Sequence, residues 1–134
     1  MNNKKWFKLF LFFSKHEVFQ NKFATIKVVW EKNNERRFHI PKPGSEYFDF
    51  YDNGLEGLTE GFSRWCFYEE IEWLKFPKEF LSNRMSRMTH EQEVVVEHQD
   101  INMIFEFLEK LPFQIDAERS EDHIKIYAYK VSNK

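Results

Sequence analysis

The chain has 134 residues, of which 42% are hydrophobic and 31% are charged, and its formal net charge is −2. This length suits one domain with its own core, residues 1–134, and the low content of Gly and Pro, four of each, excludes a disordered or low-complexity chain. The single cysteine excludes an internal disulfide, so we expect a reducing, cytoplasmic location.

Charge is unevenly distributed along the chain. Residues 1–42 contain ten Lys or Arg and three Asp or Glu, whereas residues 43–72 contain one Arg and eight Asp or Glu. The two segments either face each other inside one fold or leave an acidic face exposed to a basic partner. The apolar run 6–13 is interrupted by Lys8 and is far shorter than the roughly 18 residues of a membrane span, so we expect neither a signal peptide nor a membrane helix.

The N-terminal third predicts one helix and one hairpin. Residues 4–14 have apolar side chains at i, i+3, i+4 and i+7, which is typical of a helix with one buried face: Trp6, Leu9, Phe10 and Phe13. Residues 23–31 alternate and are rich in β-branched side chains, which predicts a strand. Its inward side chains are expected to be Ala24, Ile26, Val28 and Trp30. Residues 32–35 predict the turn, and residues 36–40 the returning strand.

The middle of the chain is harder to assign. Residues 47–52 alternate like a strand, and the pair Asn53-Gly54 predicts a turn. Residues 65–76 predict a two-part or bulged strand. Phe67, Ile71 and Trp73 are expected on one face of it, and Leu74 and Phe76 on the other.

After this strand, Pro77 favours a short helix through Phe80 and Leu81. Residues 82–92 indicate a long connection, because they form a polar run. The structure of residues 94–96, three consecutive valines, stays open.

The C-terminal third predicts a helix and a hairpin. Asp100 is a favourable N-cap for a helix over 100–111, which Pro112 ends. Residues 114–119 and 123–129 predict two strands. This order of elements favours an α+β fold: a mainly antiparallel sheet of about five to six strands, with the two main helices, 4–14 and 100–111, packed on one face.

Three stretches carry a family resemblance: Asn3-Lys4-Lys5-Trp6, Glu69-Glu70-Ile71-Glu72-Trp73-Leu74 and Ile124-Lys125-Ile126-Tyr127-Ala128-Tyr129. Together they resemble a family of short bacterial proteins of unknown function. In size and in their aromatic and acidic character, such proteins are similar to the immunity partners of bacterial toxins. The resemblance implies binding to another protein and brings no active-site residues.

The residues do not form a catalytic or metal-binding motif. His90-Glu91 begins like a zinc-protease motif, but the second histidine would stand at position 94, which is Val94. Cys66 has aromatic and acidic neighbours, which favour a buried thiol over a nucleophile. We therefore expect no catalytic residue, no metal and no cofactor.

The first functional hypothesis is a non-enzymatic protein-binding domain of the immunity type, which neutralises a bacterial toxin through an acidic and aromatic face. The expected partner is another protein, basic in character. The expected contact residues combine carboxylates with aromatic rings: Tyr47, Asp49, Tyr51, Asp52, Glu70 and Glu72. The oligomeric state is not predicted.

Two alternative functions belong to other classes of protein, a nucleic-acid-binding module and an enzyme. A nucleic-acid-binding module would use the basic N-terminal segment through Lys4, Lys5, Lys8, Arg36 and Arg37. The pI near 6.2 disfavours this alternative, because such modules are usually basic. A small hydrolase would use the neighbouring carboxylates of Glu70 and Glu72 as general acid and base.

Overall fold

The computed structural model describes residues 1–32, 34–44, 50–56 and 65–128. The fold is α+β, as predicted, and contains a five-stranded antiparallel sheet with two α-helices packed on one face. Among the described residues, no helix is long and apolar enough to cross a membrane.

The α-helices are α1 (Asn3–Lys15) and α2 (Ile101–Leu108), and short 3₁₀ turns span Glu17–Phe19 and Tyr68–Glu70. The strands are β1 (Ala24–Val28), β2 (Arg36–Phe38), β3 (Gly54–Leu55), β4 (Cys66–Phe67), β5 (Ile71–Pro77), β6 (Glu79–Met85), β7 (Gln92–His98), β8 (Asp116–Arg119) and β9 (His123–Tyr127). The large sheet has the order β2-β1-β5-β9-β8, while β3-β4 and β6-β7 form separate two-stranded sheets.

The predicted helices are confirmed, with one shorter than expected. In α1 the Asn2 side chain caps the first turn by accepting the Lys5 N–H at 2.8 Å. In α2 the Asp100 side chain accepts the Met103 N–H at 3.1 Å, which confirms the predicted N-cap. The regular helix ends at Leu108 rather than at residue 111, because the last N–H groups before Pro112 bond to carbonyls three residues back, as in a tightened final turn.

The core lies between the helices and one face of the sheet. The inward side chains of β1, β5 and β9 are apolar, and all of them are buried: Ala24, Ile26, Val28, Ile71, Leu74, Phe76, Ile124 and Ile126. Trp30 was expected to join them but is 47% exposed. The reason is that β1 ends at Val28, after which the chain turns and the alternation stops.

The two-part strand predicted for residues 65–76 is confirmed as β4, a 3₁₀ turn and β5, but its predicted faces are wrong. Ile71 lies in the core with Leu74 and Phe76, whereas Trp73 lies on the opposite face of the sheet. A β-bulge at Glu72 causes this change, because the pairing shifts from Lys27↔Trp73 to Val28↔Ile71. One extra residue in β5 therefore reverses the side-chain alternation.

Residues 77–98 contain neither the predicted helix nor the long connection. They contain the hairpin of β6 and β7, seven residues each, which we call the arm (residues 79–98). The Ser86 N–H donates to the Glu91 carbonyl at 2.8 Å, and His90 adopts a left-handed φ of 59°, so residues 86–91 form a compact turn. The β-branched valines 94–96 pair with residues 81–83, and this cross-strand pairing outweighs the local polarity that suggested a loop.

The arm is fixed to the rest of the molecule at its base. The ring of Phe80 stacks on that of Phe23, with centroids 4.4 Å apart and an interplanar angle of 7°. The Gln99 side chain accepts the Phe23 N–H at 2.9 Å, and it donates to the carbonyls of Phe23 and Pro77 at 2.8 and 2.6 Å. These contacts join the start of β1 to the ends of β5 and β7.

Candidate functional site

Two of the predicted contact residues lie together in a tight turn. The Tyr51 N–H donates to the Gly54 carbonyl at 2.9 Å, and Phe50 bridges to Leu55, so Asp52 stands exposed at the tip of the turn. The predicted turn at Asn53-Gly54 is thus confirmed. Tyr47 and Asp49 lie outside the described residues.

Three aromatic rings form a cluster beside this turn. The Tyr51 and Trp65 rings have centroids 5.2 Å apart, and those of Trp65 and Phe67 are 5.9 Å apart. The Tyr51 hydroxyl donates to Glu56 Oε2 at 3.2 Å, and Phe67 is 42% exposed. We call these five residues the acidic-aromatic corner: Tyr51, Asp52, Glu56, Trp65 and Phe67.

A buried tyrosine holds the corner against the core. The Tyr68 hydroxyl donates to the Tyr51 carbonyl, and the Tyr68 N–H donates to the Asn53 carbonyl at 3.0 Å. Burial raises the pKa of Tyr68, so its hydroxyl stays protonated and keeps donating at any physiological pH. Pairing of β3 with β4 and the buried side chain of Cys66 complete this support.

Gly54 lets the rings approach the turn. A Cβ at this position would stand 2.5 Å from Trp65 Cε2 and 2.6 Å from the Cys66 carbonyl oxygen, both well inside van der Waals contact. Only glycine therefore allows the Trp65 ring to lie against the backbone of β3. Trp65 and Phe67 are not among the predicted contact residues, because the sequence predicts both only as part of the strand over residues 65–76.

Glu70 and Glu72 do not share a strand face. Glu70 lies in the 3₁₀ turn and accepts the Trp30 indole N–H at 2.8 Å. Glu72 lies at the bulge of β5 and forms an ion pair with Lys27. Glu72 therefore links β1 to β5, and Glu70 links the turn after β1 to the 3₁₀ turn before β5. Substitution of either carboxylate would also remove an internal contact.

The five predicted basic residues do not form one surface. Lys4, Lys5 and Lys8 belong to α1, on the core side of the sheet. Arg36 donates to both oxygens of Glu31 at 2.7 and 2.8 Å, and these hydrogen bonds lower the pKa of Glu31. Arg37 follows Arg36 in β2 and so points to the other face, with its guanidinium 5.1 Å from the Phe23 ring.

The face of the sheet opposite the core carries a row of lysines that the sequence did not reveal. We call Lys27, Lys75 and Lys125 the basic stripe. Lys75 and Lys125 place their ammonium groups 5.5 and 4.6 Å from the Trp73 ring, and Trp73 is buried beneath them. Lys75 is 3.1 Å from Glu35, and Lys27 pairs with Glu72. Each lysine in this stripe therefore already has a ring or a carboxylate to interact with inside the molecule.

The turn between β8 and β9 holds a serine, a histidine and an aspartate without the geometry of a catalytic triad. Ser120 Oγ and Asp122 Oδ1 lie 3.1 and 2.9 Å from the same atom, Nδ1 of His123. A catalytic relay requires the hydroxyl and the carboxylate at opposite nitrogens of the ring. A hydrogen bond from Ser120 also lowers the pKa of Asp122, as expected for a turn stabilised by its own side chains.

Within the described ranges, no group of three or more His, Cys, Asp or Glu side chains is arranged to hold a metal ion. Comparison of the chain with protein-family models, with curated proteins and with solved structures gives no match. We therefore take the acidic-aromatic corner as the candidate site. It contains two of the predicted contact residues, and the core holds it in a defined geometry.

Proposed function

We propose that this chain is a non-enzymatic protein-binding domain that binds a basic partner through the acidic-aromatic corner. One observation carries the proposal: exposed Asp52 and half-exposed Phe67 border the ring cluster of Tyr51 and Trp65 on a turn that the core holds in place.

The chemistry of the corner suits recognition of a protein surface. Aromatic side chains contribute much of the binding free energy at interfaces, because they bury a large area with few rotatable bonds. The carboxylates of Asp52 and Glu56 belong to a segment, residues 43–72, with eight acidic residues and one basic residue. Exposed carboxylates such as those of Asp52 and Glu56 accelerate the encounter with a basic partner and disfavour acidic ones.

The finer form of the proposal is an immunity-type protein that neutralises a bacterial toxin. The family resemblance of the N-terminal, central and C-terminal stretches supports it, as does the acidic and aromatic character of the corner. In this form, the partner would be a toxin whose active surface is basic, and binding would block that surface by covering it.

The test begins with capture of a partner from an extract of the native cell, followed by titration of the purified partner. We expect Asp52→Lys and Phe67→Ala each to weaken binding by about tenfold or more, as for residues at the energetic centre of an interface. The association rate should also fall as salt rises, because the attraction between exposed charges is screened.

The matched control is Glu121→Lys, which makes the same charge change at an exposed residue of the β8–β9 turn. It should leave the affinity unchanged, and all three variants should keep the wild-type melting temperature within a few degrees. If Asp52→Lys and Phe67→Ala bind as tightly as the wild type, the corner is not the binding surface.

A further inference from the structure

The turn after β1 presents two apolar side chains to solvent. Val29 is 50% exposed and Trp30 is 47% exposed, which makes Trp30 the most exposed of the four tryptophans. Single exposed aliphatic residues are common in monomeric proteins, but tryptophan is large and is usually highly buried. It is also among the residue types most enriched at the energetic centres of protein interfaces. The exposure of Trp30 therefore indicates a contact surface.

Trp30 is held in one orientation before any partner binds. Its indole N–H donates to Glu70 Oε2 at 2.8 Å, and the Val29 N–H donates to the Glu70 carbonyl at 2.8 Å. Glu70 thus fixes both the ring and the backbone that carries it. An interface residue that is already ordered loses less conformational entropy on binding, so more of its contact free energy appears as affinity.

This tryptophan lies close to the acidic-aromatic corner. Glu70 ends the 3₁₀ turn that begins directly after Phe67, the exposed ring of the corner, and three residues span at most about 11 Å. Tyr68 is buried beneath the turn, whereas Phe67 and Glu69 on either side of it are exposed. The corner and the Trp30 ring are therefore the two ends of one short stretch of surface.

The exposed apolar side chains outside the arm concentrate at these two ends. Within the described ranges there are four large ones: Val29, Trp30, Phe67 and Met103. Three of the four lie in the turn after β1 or in the corner, and only Met103 lies elsewhere, on α2. Apolar residues scattered singly need no explanation, whereas a group of them rimmed by polar side chains marks an interaction surface.

The charges around both ends select a basic partner. Three stretches of the chain carry these charges: residues 27–36, 51–56 and 65–72. Together they contain seven Asp or Glu and three Lys or Arg. Lys27 pairs with Glu72 and Arg36 pairs with Glu31, so two of the three basic side chains are already neutralised within the molecule. The excess of negative charge disfavours an acidic partner and attracts a basic one.

We propose that Val29 and Trp30 form a second anchor, so that one basic protein contacts the acidic-aromatic corner and the Trp30 ring at the same time. This inference rests on the proposed function and extends its surface across the Tyr68–Glu70 turn. A standard interface covers roughly 800 Å² of each partner, which is wide enough for both anchors. Glu70 is a positioning residue in this arrangement, because it orients the Trp30 ring.

Titration of the partner, captured from an extract of the native cell and purified, tests the second anchor. Trp30→Ala should raise the dissociation constant by about 30-fold or more, as for a residue at an energetic centre. The matched control is Met103→Ala, which shortens an apolar side chain of similar exposure, 45%, on α2. It should leave the affinity unchanged, and circular dichroism should show that both variants are folded.

The positioning role of Glu70 has a spectroscopic signature. The indole N–H resonance of Trp30, assigned by its loss in Trp30→Phe, should move upfield in Glu70→Ala because its hydrogen bond is lost. Glu70→Ala should also weaken partner binding by about fivefold or more, since the ring must be ordered on binding. Glu70→Gln, whose amide oxygen still accepts, should restore most of both quantities. Equal effects of the two substitutions on both readouts would refute this role.

Fluorescence quenching tests the negative charge around Trp30 without the partner. The contribution of Trp30 is the difference between the wild type and Trp30→Phe. Caesium should quench this contribution more strongly than iodide, each relative to the same ion acting on free N-acetyltryptophanamide, because a negative surface concentrates cations. Raising the ionic strength should reduce the difference. Preferential quenching by iodide would overturn the proposal, because this surface would not select a basic partner.

The binding results separate this inference from the proposed function. If Asp52→Lys and Phe67→Ala weaken binding but Trp30→Ala does not, the second anchor is refuted and the corner stands. If Trp30→Ala alone weakens binding, the corner is refuted as the binding surface, and with it the shared interface. An equal loss in Met103→Ala would also overturn the second anchor, since the effect would not belong to this surface. A wild-type chain that captures no basic protein refutes both proposals.

Discussion

At the scale of single residues, a few side chains determine how the site is held. Tyr68 donates from the core to the turn that carries Asp52, and Gly54 leaves space for the Trp65 ring. Gln99 satisfies three backbone groups in two separate segments, two of Phe23 just before β1 and one of Pro77 at the end of β5. None of these roles follows from local sequence, because each depends on a residue brought close by the fold.

Gly54→Ala should destabilise the protein by about 1 to 3 kcal/mol, because its Cβ would overlap the Trp65 ring and the Cys66 carbonyl. Urea denaturation measures the change. Gly44→Ala is the comparison: its Cβ meets no atom within 4 Å, but its φ of 82° costs an alanine about 1 kcal/mol. Only Gly54→Ala should alter the fluorescence of Trp65, and an unchanged spectrum would contradict the packing described.

At the scale of elements, the helices and the strands of the two hairpins in the large sheet follow from patterns within each segment, whereas the order of that sheet and the formation of the arm depend on pairing between segments. Within the described ranges, no layer covers the side of the arm that carries Leu81, Met85, Val94 and Val96, and the contacts that fix the arm's position lie at its base. The orientation of the arm therefore relies on Phe80 and Gln99 rather than on packing along its length.

Gln99→Ala should lower the free energy of unfolding by about 1 to 3 kcal/mol, since it leaves the Phe23 N–H and two carbonyls without their partner. Hydrogen exchange should also accelerate at Phe23 and in the arm, while α1 and β9 keep their protection. Gln92→Ala, a substitution of the same type at an exposed position of the arm, should change neither quantity. Equal effects of the two substitutions would show that Gln99 does not anchor the arm.

At the scale of the whole molecule, one aromatic core connects the elements. The Phe10 ring of α1 lies within 6.2 Å, centroid to centroid, of rings from five residues: Trp6, Phe13, Phe38, Phe50 and Tyr68. Two of these rings lie in α1 and one lies in β2. Phe50 lies in the turn before β3, and Tyr68 lies in the 3₁₀ turn that holds the acidic-aromatic corner. Stability of the core and the shape of the candidate site are therefore coupled through Phe10.

Phe10→Ala should destabilise the protein by about 3 to 5 kcal/mol, as expected for a large cavity in a buried core. Phe67→Ala, in contrast, should cost less than about 1 kcal/mol, because this ring is 42% exposed. Thermal or urea unfolding compares the two. Similar costs would mean that Phe67 belongs to the core and is not available for a partner.

The sequence predicted the type of candidate site, a turn with acidic and aromatic side chains, but not all of the residues that form it. The acidic segment and the turn at Asn53-Gly54, beside which Tyr51 and Asp52 lie, could be predicted from composition and turn chemistry. Trp65 and Phe67 join them through pairing of β3 with β4, and Glu70 is drawn to Trp30 instead. These outcomes depend on strand partners, which a single sequence does not reveal.

The sequence alone determined the two helices, the Asp100 cap of α2, the β1–β2 and β8–β9 hairpins and the α+β class. Side-chain periodicity, Asp100 and the turn residues act within a few positions of each other, so their effect is visible locally. Tertiary structure alone decided the position of the bulge at Glu72, the burial of Trp73 beneath lysines and the strand conformation of residues 79–98. The reason is that hydrogen bonds and contacts between distant segments supply the free energy that overrides weak local preferences.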